Sequence, residues 1–357
     1  MKMLRPILAL AFVLALTASA ATQTPPAAQA PPTNQAPPDS SKPAARPKAS
    51  PIPAAKKPAT TPQPASPAAT ATPPPAPDDP NADLVYGAYQ RGFYKTAFDL
   101  ATKRAQENGD AKAMTMLGEL HANAMGVKRD DAKAAEWFKR GADLGDREAM
   151  FELAMLRLAG RGGAVNREEA VKLLASSAKL GNPKAAYNLA LLYLDGQTLP
   201  QDLQRSAELL RIAADAGSPE AQYALATFYK EGTGVPKDAE RAARLLQAAS
   251  LAGNVDAEVE YAIALFNGTG TPKNEVAAVA LLRKAAKQNN PIAQNRLARV
   301  LASGQGTPAD GAEALKWHTI AKTAGKGDPE LDNALANLSP EARARAEAAV
   351  RRWFGAK

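Results

Sequence analysis

Residues 217–253 read GSPEAQYALATFYKEGTGVPKDAERAARLLQAASLAG, and this stretch decides the fold. A similar sentence appears 36 residues earlier and 36 residues later. Gly109, Gly145, Gly181, Gly217, Gly253 and Gly325 are spaced by 36 or its multiple, with Asn289 in the remaining slot. A fixed period of this size signals a stack of small units, each burying its apolar face against the next.

Six units follow from the period: 109–144, 145–180, 181–216, 217–252, 253–288 and 289–324. Each reads as two helices. Asp110, Asp146, Asn182, Ser218, Asn254 and Asn290 stand where the first helix needs its cap, and Pro183, Pro219 and Pro291 follow at the first helical position. A glycine-bearing loop ends that helix. Asp130, Asn166, Asp202, Asp238, Asn274 and Asp310 then cap the second, and the closing glycine terminates it. One first-helix slot holds Ala113, Ala149, Ala185, Ala221, Ala257 and Ala293, and four residues on come Leu117, Leu153, Leu189, Leu225, Tyr261 and Leu297. Small residues at such places let helices approach closely. A helix pair this short is marginal alone, so stacking must supply the core.

GTGVPKD at 232–238, the alanine-rich helix behind it, and A-x-x-x-L-[AG] in five of six first helices make the units resemble Sel-1-like repeats, relatives of tetratricopeptide repeats. The resemblance covers 83–325. Unit 145–180 departs with GRGGAVNRE and unit 181–216 with GQTLPQD, so their loops are expected to differ. The family implies an all-α, right-handed α-solenoid of stacked helix-turn-helix repeats whose usual role is binding other proteins. It also implies that secreted bacterial members are often envelope adaptors or regulators of signalling; a few cysteine-rich members are linked to β-lactam binding.

The flanks are unlike the repeats. Residues 1–20, MKMLRPILALAFVLALTASA, combine a basic start, a short apolar middle and Ala18-Ser19-Ala20. This reads as a signal peptide cleaved after Ala20, which places the chain in the periplasm or outside the cell. Once cleaved, the chain is not expected to be an integral membrane protein. Residues 21–80 hold 19 of the 29 prolines and read as a disordered Pro/Ala-rich linker. Residues 81–108 read as a capping hairpin in which Tyr86, Tyr89, Phe93, Tyr94 and Phe98 pack the first end. Residues 326–357 read as a capping helix starting at Ser339-Pro340-Glu341, with Val350, Trp353 and Phe354 facing the last repeat and Arg343, Arg345, Arg351 and Arg352 solvated. A basic membrane-surface helix is the rival reading.

The chain of 357 residues carries a formal charge of +8, of which the signal and the linker supply half. The mixed surface left for the repeats gives no nucleic-acid footprint. There are no cysteines and two histidines. His121 and His318 occupy ordinary repeat slots, so neither metal site, cofactor nor catalytic residue is expected. Ser176-x-x-Lys179 has the spacing of penicillin-interacting enzymes but lacks their companion motifs.

By tetratricopeptide geometry, first-helix residues two before and two after the Leu slot face the concave groove. The first series reads Thr115, Phe151, Tyr187, Tyr223, Val259, Asn295; the second reads Glu119, Met155, Leu191, Thr227, Ile263, Arg299. The expected partner-binding residues are Phe151, Met155, Tyr187, Leu191, Tyr223, Thr227, Ile263, Asn295 and Arg299, unless the rings instead pack between adjacent first helices. The expectation is a non-enzymatic periplasmic scaffold or adaptor for a protein or peptide, regulating an envelope sensor or assembly. The alternatives are a peptidoglycan-associated module tethered by its Pro-rich segment, and a β-lactam-interacting enzyme.

Overall fold

The computed structural model describes residues 83–355. The signal peptide, the Pro/Ala-rich linker and the first residues of the expected capping hairpin lie outside them. The described residues form sixteen helices and no strand. α1 (Leu84–Gln90) and α2 (Tyr94–Asn108) make an N-terminal hairpin. The first helices of the six units are α3 (Ala111–Ala122), α5 (Arg147–Ala159), α7 (Pro183–Asp195), α9 (Pro219–Glu231), α11 (Val255–Asn267) and α13 (Pro291–Ser303). Their partners are α4 (Asp131–Asp143), α6 (Arg167–Lys179), α8 (Leu203–Asp215), α10 (Ala239–Leu251), α12 (Glu275–Lys287) and α14 (Gly311–Thr323). α15 (Pro329–Ala334) and α16 (Pro340–Gly355) close the chain. From α1 to α14 each helix packs on its neighbours in sequence, which makes the repeats an α-solenoid, while α15 lies against α13 and α16 against α14.

All twelve expected caps are made. Each of the first-helix capping residues accepts a hydrogen bond from the opening turn, as in Asn182 Oδ1 from the Lys184 and Ala185 amides at 2.9 and 3.2 Å. The second-helix caps do the same and also tie the loop: the Asp238 amide donates to Tyr229 O at 2.9 Å, and all six units repeat that bond. One residue thus satisfies a helix end and fixes the chain's return path.

The small-residue slots are the contact surface. Ala149, Ala185, Ala221, Ala257 and Ala293 are completely buried. In the second helices Ala134, Ala170, Ala278 and Ala314 are equally so, and Ser206 fits the same slot by donating its hydroxyl to Ala190 O at 2.8 Å. The loop glycines serve the stack in turn. A Cβ on Gly270 would lie 2.0 Å from Ala239 O, so the loop of one unit rests on the opening turn of the preceding second helix.

The two irregular loops differ as expected. In unit 145–180, Arg161 reaches back and grips Asp131 at 2.8 and 3.1 Å, which holds that carboxyl down at about 2. In unit 181–216, Asp195 and Gln201 side chains hold the loop through the Gln197 amide and Leu194 O.

Several end residues depart from expectation. Tyr89, Tyr94 and Phe98 pack at the first end, but Tyr86 and Phe93 are half exposed, because an end helix has a neighbour on only one side. At the other end Val350 and Trp353 face the last repeat, Trp353 stacking edge-on against Trp317 at 5.2 Å, whereas Phe354 points outward. Arg343 is not solvated: it donates to the carbonyls of Leu335, Ala336 and Leu338 behind α15. Residues 326–357 contain two helices rather than one.

Three substitutions probe this packing. A Cβ at Gly118 would sit 2.5 Å from the Phe138 ring, where other units pair alanine with leucine or histidine. Gly118→Ala should lower stability by about 1–2 kcal/mol, and Phe138→Leu in the same chain should restore it, read by thermal unfolding of the two single variants and the double. Ala124 occupies a loop-glycine slot at φ 56°, and Ala124→Gly should stabilise the chain by about 1 kcal/mol in the same measurement.

Candidate protein-binding face

The first helices form one layer, linked to each other by side chains. Thr115 donates to Asp146 at 2.5 Å, Lys184 pairs with Glu148 at 2.7 Å, and Lys230 pairs with Glu260 at 2.7 Å. The expected binding residues lie along this layer, but to unequal depths. Phe151 is buried, with the Lys184 ammonium 5.6 Å from its ring centroid. Tyr187 and Tyr223 are half-buried against the core, and Met155, Leu191 and Ile263 are partly exposed. Thr227 spends its hydroxyl on Tyr223 O at 3.2 Å. Burial, aided by Glu220, pushes the Tyr187 phenol up. Burial with Glu260, Asp256 and Glu231 pushes Tyr223 up to about 12. Both rings are therefore neutral platforms with an exposed edge.

The last two expected residues are engaged within the chain. Asp328 caps α15 and accepts from Asn295 at 3.1 Å and from Arg299 at 2.6 Å, and Arg299 also reaches Glu330 at 2.9 Å. Beside them a cavity of about 460 Å³ opens between α11, α13 and α15, floored by Ile263, Phe266, Val300 and Leu331. A second, of about 310 Å³, lies between α9, α10 and α11, and Ile263 lines both.

Sequence reasoning missed the charges between these side chains. Glu119, on α3, is pushed up to about 7, by burial first and then by Glu152, Glu148 and Asp146, with Lys184 opposing. Glu152 is raised too, mainly by burial. Glu148 holds Lys184 and also accepts from Asn182 Nδ2 at 3.1 Å. Part of the signal lay in two further slots, Lys112–Glu148–Lys184–Glu220–Asp256–Ile292 and Met116–Glu152–Asn188–Ala224–Glu260–Arg296, which together hold five carboxylates against three cations. The first helices with α15 carry a net negative charge; the second helices with α16 carry a net positive one.

Ser176 and Lys179 are exposed on α6, facing solvent. His121 is buried edge-on to Phe98 at 5.6 Å, and His318 is buried with Nε2 2.8 Å from Asp332 Oδ1. Among the described residues no group of three or more His, Asp or Glu side chains could hold a metal ion, and no helix is long and apolar enough to cross a membrane.

Twelve helices in six like pairs, one layer of which displays half-buried aromatic and aliphatic side chains, define a helical-repeat solenoid of the protein-binding type. The chain belongs to the Sel1 repeat family, which matches it at 111–146, 147–182, 183–218, 219–254, 255–290 and 291–326, the register found here shifted by two residues. Among solved structures it is similar to a Sel1 repeat protein from Oxalobacter formigenes, at 25% identity and a TM-score of 0.59, covering 67% of this chain and 98% of that one. It is also similar in fold to c5321, a protective antigen of uropathogenic Escherichia coli, at 24% identity and a TM-score of 0.51, covering 73% of this chain and 64% of that one. No curated protein sequence matches. Sel1 repeat proteins generally mediate protein–protein interaction, and the fold is typically a scaffold without catalysis.

The raised Glu119 gives a pH-dependent stability. A carboxyl that holds its proton more tightly folded than unfolded stabilises at low pH, and that stability is lost as pH rises from about 4.5 to about 7. Glu119→Gln should match the unsubstituted chain in urea unfolding at pH 4.5 and exceed it at pH 8, by up to about 3 kcal/mol.

Proposed function

We propose that this chain is a non-enzymatic scaffold, exported to the periplasm, that binds a protein or peptide partner along the first-helix face. The observation that carries the reading is the division of labour among repeat slots. The small-residue slots that recur in every unit are buried and hold the stack. Those that vary along the first helices (Met155, Tyr187, Leu191, Tyr223, Ile263) keep part of their apolar surface exposed in one continuous layer. Rigid, half-buried rings make good anchors because little side-chain entropy is lost when a partner covers them. Export rests on the charge, apolar run and A-x-A ending of residues 1–20.

In-cell crosslinking followed by mass spectrometry tests this. A specific partner should be recovered with the unsubstituted chain and with an Arg244→Ala control on the exposed side of α10. Recovery should fall at least tenfold with Tyr187→Ala/Tyr223→Ala, provided circular dichroism shows the helices intact. Equal recovery from all three chains would remove the reading. The same spectra report whether the chain begins at Ala21.

A further inference from the structure

The first-helix face carries more than apolar anchors. At its N-terminal half two carboxylates, Glu119 on α3 and Glu152 on α5, are partly buried, and the charge of Glu152 adds to the proton affinity of Glu119, as that of Glu148 does to both. Neither makes a hydrogen bond or ion pair among the described residues. The groups facing Glu119 are Asp146, Glu148 and Glu152 from α5, Lys184 from α7 and, from α1, the neutral Tyr89. α2 and α4 meet α3 through apolar side chains such as Ala101 and Phe138, and the lysine of α3 itself, Lys112, lies two turns away. Two cations face the pair and both are already held: Lys184, by Glu148 at 2.7 Å, which Asn182 satisfies further, and Arg161, which favours the ionised Glu152 from a distance but is gripped by Asp131 at 2.8 Å. The stack leaves two carboxylates short of a counter-ion.

Resting on the protein-binding reading above, we infer that this face docks an extended cationic segment of its partner, with a Lys or Arg side chain seated between Glu119 and Glu152 and a neighbouring apolar side chain on the Tyr187–Leu191–Tyr223 strip. Charge complementarity selects this occupant. Like carboxylates crowded in a partly dry setting repel each other, and an incoming ammonium or guanidinium removes that repulsion while making charge-assisted hydrogen bonds. The acidic surplus continues toward Tyr223, where Asp256, Glu231 and Glu260 face the ring with Lys230 as the nearby cation. A neutral or acidic segment would cover the rings yet leave the pair uncompensated. Because the cation binds the ionised form, Glu119 must lose its proton on docking. Affinity is then full above pH 7 and declines as pH falls below it.

The test is a random twelve-residue peptide library displayed on phage and panned against the full chain at pH 8. Recovered peptides should be rich in Arg and Lys interspersed with bulky apolar residues. A fluorescein-labelled synthetic copy of one such peptide, followed by fluorescence anisotropy, should bind about tenfold more weakly to Glu119→Gln/Glu152→Gln. It should keep its affinity for Glu168→Gln, which removes the same kind of charge from the second-helix layer. Binding to the unsubstituted chain should weaken about tenfold from pH 8 to pH 6, and the doubly substituted chain should lose that dependence. Cationic peptides indifferent to the Glu119/Glu152 substitutions overturn the inference. So does recovery of neutral peptides that depend on Tyr187 and Tyr223, which leaves the binding face standing without its cation preference. Peptides that depend on neither pair remove both.

Discussion

Everything in this molecule depends on how closely two helices can lie, and alanine sets that distance. Ala149, Ala185, Ala221, Ala257 and Ala293 have no accessible surface, and the facing second-helix slot tolerates nothing larger than serine. A methyl at the contact brings backbones close enough for dispersion along the whole helix, while Leu153, Leu174 and Leu210 fill the space to either side. The constraint propagates. Close helices need a tight return, the return needs a residue with left-handed backbone, and the loop so formed must rest against the preceding unit. Asn289 and Ala124 show how strongly the backbone geometry is imposed, since each adopts positive φ where its sister units place glycine. Phe138 opposite Gly118 shows the same for volume: one unit enlarges one side and empties the other.

This explains what could be read from the residues. Caps, helix bounds and buried slots repeat, and each is fixed by local hydrogen bonding or by one contact, so six copies state the same rule. The ends break the period and were less legible. Gly325-Lys326-Gly327-Asp328 puts two more residues before the capping aspartate than the pattern requires, so α15 was not apparent. With α15 hidden, Asn295 and Arg299 looked like free groove residues, although in the fold Asp328 and Glu330 occupy them. The carboxylates of the first-helix face were hidden for the opposite reason. Each lies in a slot where the units differ, and a variable slot reads as mere tolerance until the neighbouring helix supplies its distance and charge.

Second helices and first helices answer to different demands. Each second helix packs on its own first helix and on that of the following unit, and the layer carries its surplus of lysine and arginine in solvent, where salt screens it. Its ion pairs, such as Glu168 with Lys172 and Glu240 with Arg244, are exposed one-turn pairs of the ordinary stabilising kind. The first-helix layer instead buries charge partway. There Glu258 is fully buried yet satisfied by Lys284 and Gln288, so the fold can neutralise an acidic side chain in this layer when a second-helix residue reaches it.

No second-helix residue reaches Glu119 or Glu152, and that contrast is the useful one. The slot that supplies Lys284 to Glu258 holds Arg140 in the first unit, and Arg140 lies over the Trp137 ring at 4.3 Å instead. In the second unit the same slot holds Ser176, so neither carboxylate is served from it. An acid whose proton affinity is raised in the fold weakens the free chain above neutral pH. The stack thus separates two kinds of variable residue. Where variation is repaired within the chain, as at Glu258, Asn295 and Arg299, it belongs to the architecture; where no direct partner is made, as at Glu119 and Glu152 beside the half-buried rings of Tyr187 and Tyr223, it is the ground on which a partner is proposed.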